Sequence, residues 1–99
     1  MNFIDIDIFT DRIEFDIYSI DNQQKIGTIK DKIIIPKAFD IGDKLSYIRK
    51  VIDTFVRQGN VKNAHINSEN NLDIDVIQTL KIEGVIEELF SNSGVEIWR

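Results

Sequence analysis

Cysteine is absent from the 99 residues, which excludes a disulfide framework and any thiolate metal site. A cysteine-free chain suits a reducing compartment, and the expected location is the cytoplasm. Histidine occurs once, at His65, so a His-based zinc centre has too few ligands. A Ser/His/Asp triad drawn from Ser68 and His65 has nothing but composition behind it. The five glycines lie apart, so no Gly-rich loop is available to cradle a phosphate. Proline occurs once, at Pro36, and no low-complexity stretch is present. No apolar run approaches the roughly 18 residues that span a membrane. Acids interrupt the N-terminal region at every second position, unlike a secretion signal. Excess positive charge is also missing. The net charge of −5 argues against a general nucleic-acid binder.

What is present describes one folded unit, residues 1–99. The hydrophobic fraction of 42% supports one modest core. Charge is distributed unevenly. Residues 1–21 hold six acids against Arg12, and residues 63–99 hold seven acids against Lys81 and Arg99. Residues 22–62 hold nine bases against four acids. The plain reading is solvated faces of opposite sign. The sharper one is a basic patch, with Lys44, Lys50 and Arg57 as candidate phosphate contacts, or a patch that meets an acidic partner.

Ile4, Ile6 and Ile8 alternate with Asp5 and Asp7, and Ile13, Phe15 and Ile17 alternate with Arg12, Glu14 and Asp16. A period of two marks a strand, so two strands join across Thr10-Asp11. Ser19 to Gln24 reads as a loop. A third strand runs from Lys25 to Ile35, with Gly27 and Lys30-Asp31 as places for a bulge or break, and Pro36 ends it. After Gly42 the period changes. Leu45, Ile48, Val51, Ile52, Phe55 and Val56 form a helical stripe, with Asp43 as its expected cap and Gly59 as its expected left-handed stop. Val61 to Asn67 reads as a strand. A second helix from about Asp73 to Asn92 carries Ile74, Ile77, Leu80, Lys81, Val85, Ile86, Leu89 and Phe90, and Gly94 stops it. Val95 to Trp98 is the last strand. The order β-β-β-α-β-α-β, with right-handed crossovers between parallel strands, predicts an α/β fold with a mixed five-stranded sheet in spatial order 3-2-1-4-5.

That order, together with the segment "LKIEGVIEELFSNSGVEIW" (Leu80–Trp98), resembles the ribonuclease H-like superfamily and within it the Holliday-junction resolvase-like group. The resemblance implies that the mid-helix Gly84 marks a close contact between helix and sheet. It also implies an acid on the first strand that binds Mg²⁺ or Mn²⁺, which points to Asp7 in "DIFTDRIEF", with Asp5 on the same face as a substitute. The family's second acid belongs at the end of the fourth strand. Counting back from Gly84 places His65 there, and Glu69 is the nearest acid. The family's remaining acids lie in a C-terminal helix beyond the last strand, past Arg99. The expectation is therefore a truncated or degenerate, non-catalytic member used for interaction, in a nucleic-acid or mobile-element context, with no cofactor. Two rivals stand beside it. One is a metal-dependent nuclease completed by a further segment or a partner chain. The other is a small acidic module of the immunity type that docks on a basic protein. The last strand should be a sheet edge, making Val95, Ile97 and Trp98 a candidate surface for self-association. The competing outcome has Glu96 and Arg99 guarding that edge and Trp98 folded over the second helix.

Overall fold

The computed structural model describes residues 2–68 and 76–98. Its elements are β1 (Asn2–Ile8), β2 (Arg12–Asp21), β3 (Gln24–Ile34), α1 (Ile41–Gln58), β4 (Asn63–Ser68), α2 (Val76–Asn92) and β5 (Glu96–Trp98). The five strands form one sheet in the order β3-β2-β1-β4-β5. β2 is antiparallel to β1 and β3, while β4 is parallel to β1 and β5. The expected fold class and strand order are both present.

Pleating explains the core. Side chains two apart on a strand share a face. Ile4, Ile6 and Ile8 are 0–1% exposed and lie beside Ile17, Phe15 and Ile13 of β2 and beside Ala64 and Ile66 of β4. Ile48, Ile52 and Val56 of α1 and Ile82, Ile86, Leu89 and Phe90 of α2 join the same cluster. Phe55 sets its ring 4.7 Å from that of Phe15. Both helices therefore cover one face of the sheet. Among the described residues no element covers the other.

Local signals place the ends of these elements. α1 begins before Gly42, not after it. Asp40, at φ −69° and ψ 172°, is its N-cap, and its Oδ1 accepts a hydrogen bond from the Asp43 backbone N–H at 2.8 Å. Asp43 is thus the capped first-turn acid rather than the cap. Gly59 closes α1 in a right-handed conformation, φ −83°, and Asn60 takes the left-handed one, φ 48°. Gly94 does take the expected left-handed turn after α2, φ 72°.

β2 runs on to Asp21, and a two-residue turn replaces the expected loop. Asn22 and Gln23 both have positive φ (50° and 64°), the requirement of a tight hairpin turn that follows the sheet's twist. Gly27, at φ 65°, bulges β3, where the register with β2 shifts between Ile17 and Ser19. Lys30 and Asp31 stay in the ladder, opposite Asp16 and Phe15. β4 starts at Asn63 rather than Val61, because the Val61 N–H is bonded back to the Val56 carbonyl at 3.0 Å.

α2 presents a different face from the one its sequence suggested. Ile77 and Leu80 are 68% and 60% exposed, while Thr79 and Ile82 are buried. Gly84 is exposed, and a Cβ added there would meet nothing within 4 Å. No close contact with the sheet explains this glycine. The expected helical residues Asp73 and Ile74 lie outside the described residues.

Candidate functional site on the open sheet face

The uncovered face is ordered in cross-strand rows. Register places Lys30, Asp16, Asp5, His65 and Trp98 in one row, and Lys32, Glu14, Asp7 and Asn67 in the next. A third row holds Tyr18, Phe3, Asn63 and Glu96. Four carboxylates (Asp5, Asp7, Glu14 and Asp16) therefore sit on adjacent central strands, with His65 and Asn67 on one side and Lys30 and Lys32 on the other. Like charges directly opposite across a ladder are unfavourable, so a second source of charge must balance them.

Each carboxylate but one has a named partner. Tyr18 donates its hydroxyl to Asp5 Oδ1 at 3.1 Å, and its ring stacks on Phe3 at 5.5 Å and 7°. Lys25 Nζ lies 2.7 Å from Asp16 Oδ2 and 4.2 Å from the centre of the Tyr18 ring. Arg12 Nε donates to Glu14 Oε1 at 3.1 Å. Asp7 is exposed. Asp16 Oδ1 is buried and has no hydrogen-bond donor. Burial raises the Tyr18 pKa above its ordinary value, and the negative charge and hydrogen bond of Asp5, with the charge of Asp16, push it the same way. Asp5, Asp7, Glu14, Asp16, Lys30 and Lys32 contribute to the wall of an open cleft of about 570 Å³.

The sequence singled out Asp5 and Asp7 but missed Glu14, Asp16, Tyr18 and Lys25. The signal was available. A hairpin centred on Thr10-Asp11 must set Asp5 opposite Asp16 and Asp7 opposite Glu14, as observed. Glu69 lies outside the described residues. β4 places His65 beside Asp5 and Asn67 beside Asp7. The His65 ring nitrogen Nδ1 is 3.4 Å from Asn67 Nδ2. Ser68 lies beside Ile8, on the helix-covered face, and its hydroxyl donates to Glu83 at 3.0 Å. Ser68 and His65 thus sit on opposite faces, and no triad forms.

The fit to Mg²⁺ or Mn²⁺ follows from this donor set. Hard cations need several oxygen ligands converging on one point. Asp5, Glu14 and Asp16 instead accept from Tyr18, Arg12 and Lys25, and β4 supplies an imidazole and an amide. Among the described residues no group of three or more His, Asp or Glu side chains is arranged to hold a metal ion. The described residues do not fit a two-ion carboxylate centre.

The other candidates scatter. Lys44 donates to Gln78 of α2 at 3.1 Å, and Arg57 pairs with Asp53 at 2.9 Å. At about 100° of rotation per residue, Lys50 and Arg57 share a side of α1 and Lys44 lies roughly a third of a turn away. The three make no single patch. At the sheet edge, Val95 is 5% exposed and belongs to the core, because its N–H is tied back to the Phe90 carbonyl. It offers no surface. Ile97 is partly buried against the same core. Trp98 is 55% exposed and donates Nε1–H to Asn63 Oδ1 at 3.1 Å. It lies on the open face, not over α2.

No family model matches the sequence, and no curated protein matches it. Solved structures do. Thermus thermophilus RuvC superposes with a TM-score of 0.83 at 7% identity, over 99% of this chain and 62% of that one. The fold is ribonuclease H-like and resolvase-like. The same RuvC in complex with a Holliday junction substrate gives a TM-score of 0.81 at 7% identity, covering 99% of this chain and 64% of that one. An exopolyphosphatase from Cytophaga hutchinsonii gives 0.64 at 12% identity, covering 98% of this chain and 33% of that one. The chain spans less than two thirds of the length of these structures. In this chain β1 is the central strand, and its open face carries Asp5 and Asp7. No helix among the described residues is long and apolar enough to cross a membrane.

Proposed function

We propose that this chain is a non-catalytic interaction domain on a resolvase-like fold, and that its open sheet face docks a positively charged protein partner. The observation that carries this reading is the fate of the carboxylates. Asp5, Glu14 and Asp16 are each held by a hydroxyl or cationic group of the chain itself, while β4 brings His65 and Asn67 to their side. The cleft on this face is lined by five carboxylates (Asp5, Asp7, Glu14, Asp16 and Asp31) against Lys30 and Lys32, an acidic excess that favours a basic protein surface over a nucleic-acid backbone. The fold alone leaves the function open.

The competing metal-nuclease reading draws on one feature, the exposed Asp7 on the central strand. Incubation of the chain with Mn²⁺ or Mg²⁺ and a four-way junction or an RNA–DNA hybrid separates the two. No cleavage is expected. Metal-dependent cleavage that Asp7→Asn abolishes would overturn the proposal.

A further inference from the structure

We infer that the open face is built to take an arginine side chain of that basic partner at Asp16, and that Lys25 occupies the place until the partner arrives. The inference rests on the interaction reading above and adds the ligand group and the way its site is held.

Two observations meet at Asp16. The first is that a cation is already seated there. Lys25 reaches along the open face from the hairpin tip, with its ammonium 2.7 Å from Asp16 Oδ2 and 4.2 Å from the Tyr18 ring centre. Carboxylate and aromatic face together form a cation niche. Tyr18 is in turn fixed from both sides, stacked on Phe3 and hydrogen-bonded to Asp5. The second is that the niche is incompletely satisfied. Asp16 has only 17% of its side chain exposed, and its other oxygen, Oδ1, is buried without a donor. A carboxylate oxygen that has lost water and gained no N–H is costly.

An ammonium is a compact point charge and meets one oxygen here. A guanidinium presents parallel N–H groups in a planar fork and meets both oxygens of a carboxylate. Once Lys25 swings away, an arginine that meets both carboxylate oxygens gives Oδ1 the donor it lacks. Its planar group can also lie on the Tyr18 ring. Release of Lys25 is easy, since its side chain is 46% exposed and a surface ion pair holds only weakly. Lys30 and Lys32 also line the cleft, but five carboxylates outnumber them, and that excess draws further basic residues of the partner segment. Divalent cations and lysine are the other positive occupants, and the experiment separates them.

The probes are two nine-residue peptides of equal charge, one alternating arginine with serine and the other lysine with serine. Binding is measured by calorimetry and by amide shifts of the labelled chain. The arginine peptide is expected to bind roughly tenfold more tightly, with shifts centred on Asp16, Tyr18 and Lys25. Lys25→Ala should tighten arginine binding about two- to fivefold by removing the competitor. The isosteric Asp16→Asn should weaken it about tenfold or more while leaving the thermal midpoint measurable as a check on folding. Equal affinity for both peptides, with no gain in Lys25→Ala, would overturn the arginine site and leave the interaction reading standing. Failure of both peptides to bind at low salt would overturn both. Saturable Mn²⁺ binding that shifts Asp5 and Asp16 and displaces the arginine peptide would also overturn the inference, in favour of a metal.

Discussion

Ile82 and Leu80 are two positions apart on α2 and are isomeric side chains, yet their replacement by alanine should differ several-fold in cost. Ile82 is 0% exposed and packs within the core cluster. Truncating a buried isoleucine to alanine removes its transfer energy and leaves a cavity, a cost of about 2–5 kcal/mol. The whole domain holds roughly 5–15 kcal/mol, so the loss is a large share of the total. With a urea slope on the order of 1–2 kcal/mol per molar, the midpoint should fall by about 1–5 M. Leu80 is 60% exposed. Its alanine variant loses less than about 1 kcal/mol of partial burial, and alanine's better helix propensity offsets part of that. Its midpoint should move by less than about 0.5 M. Urea unfolding followed by circular dichroism on the two variants reads both values. An equal loss in the two, or a larger one in Leu80→Ala, would show that α2 is rotated about its axis and that the buried face described here is wrong.

Three further outcomes follow from local structure. Gly84→Ala should raise stability by about 1 kcal/mol, since the position is helical, exposed and free of neighbours and alanine is the better helix former; a loss in thermal melting would reveal a hidden close contact. Gln23→Gly should stabilise by about 0.5–1 kcal/mol, because Gln23 sits at φ 64°, where a side chain costs roughly 1–2 kcal/mol and glycine returns part of that as flexibility; a fall in the urea midpoint would contradict the turn geometry. The folded pKa of Tyr18 lies above the ordinary 10.0, so its stabilising contribution is complete below about pH 10 and is lost as pH rises through the folded value. Asp5→Asn should lower that folded value, read from phenolate absorbance after subtraction of Tyr18→Phe, and an unchanged titration would remove Asp5 as a cause.

The sheet was legible because its signal is redundant. Three alternating segments, one proline stop and two crossover helices leave few topologies open. α1 was legible too, since Ile48, Ile52 and Val56 mark one side and charges occupy the other. α2 was not, because Ile77, Leu80, Ile82, Val85, Ile86, Leu89 and Phe90 surround much of the helix and leave its phase open. Packing against β4 and β5 then decides which of them is buried. The cap of α1 was misplaced by one turn because Asp40 and Asp43 are both suitable acids, and only the bond from the Asp43 N–H to Asp40 Oδ1 tells them apart. At the open face, Asp5 and Asp7 stood out by their position between isoleucines. Their partners did not, because Asp16, Tyr18 and Lys25 come together through hairpin register and a bulge, which are properties of chain geometry rather than of residue type.

The bulge at Gly27 gives β3 one residue in reserve. Two residues, Gly27 and Thr28, occupy the space opposite Tyr18 alone, because Ile26 pairs with Ser19 and Ile29 pairs with Ile17. Odd-numbered Lys25 and even-numbered Lys30 and Lys32 can share a face only through this change of parity. Removal of one of the two bulge residues would therefore make the strand regular while each lysine kept its side. A substitution that irons the bulge flat without shortening the chain, such as Gly27→Val, would do the opposite. It would turn Ile26 toward the acids and Lys25 toward the helices. Here a lost codon preserves the chemistry of the surface, and a point change reverses it.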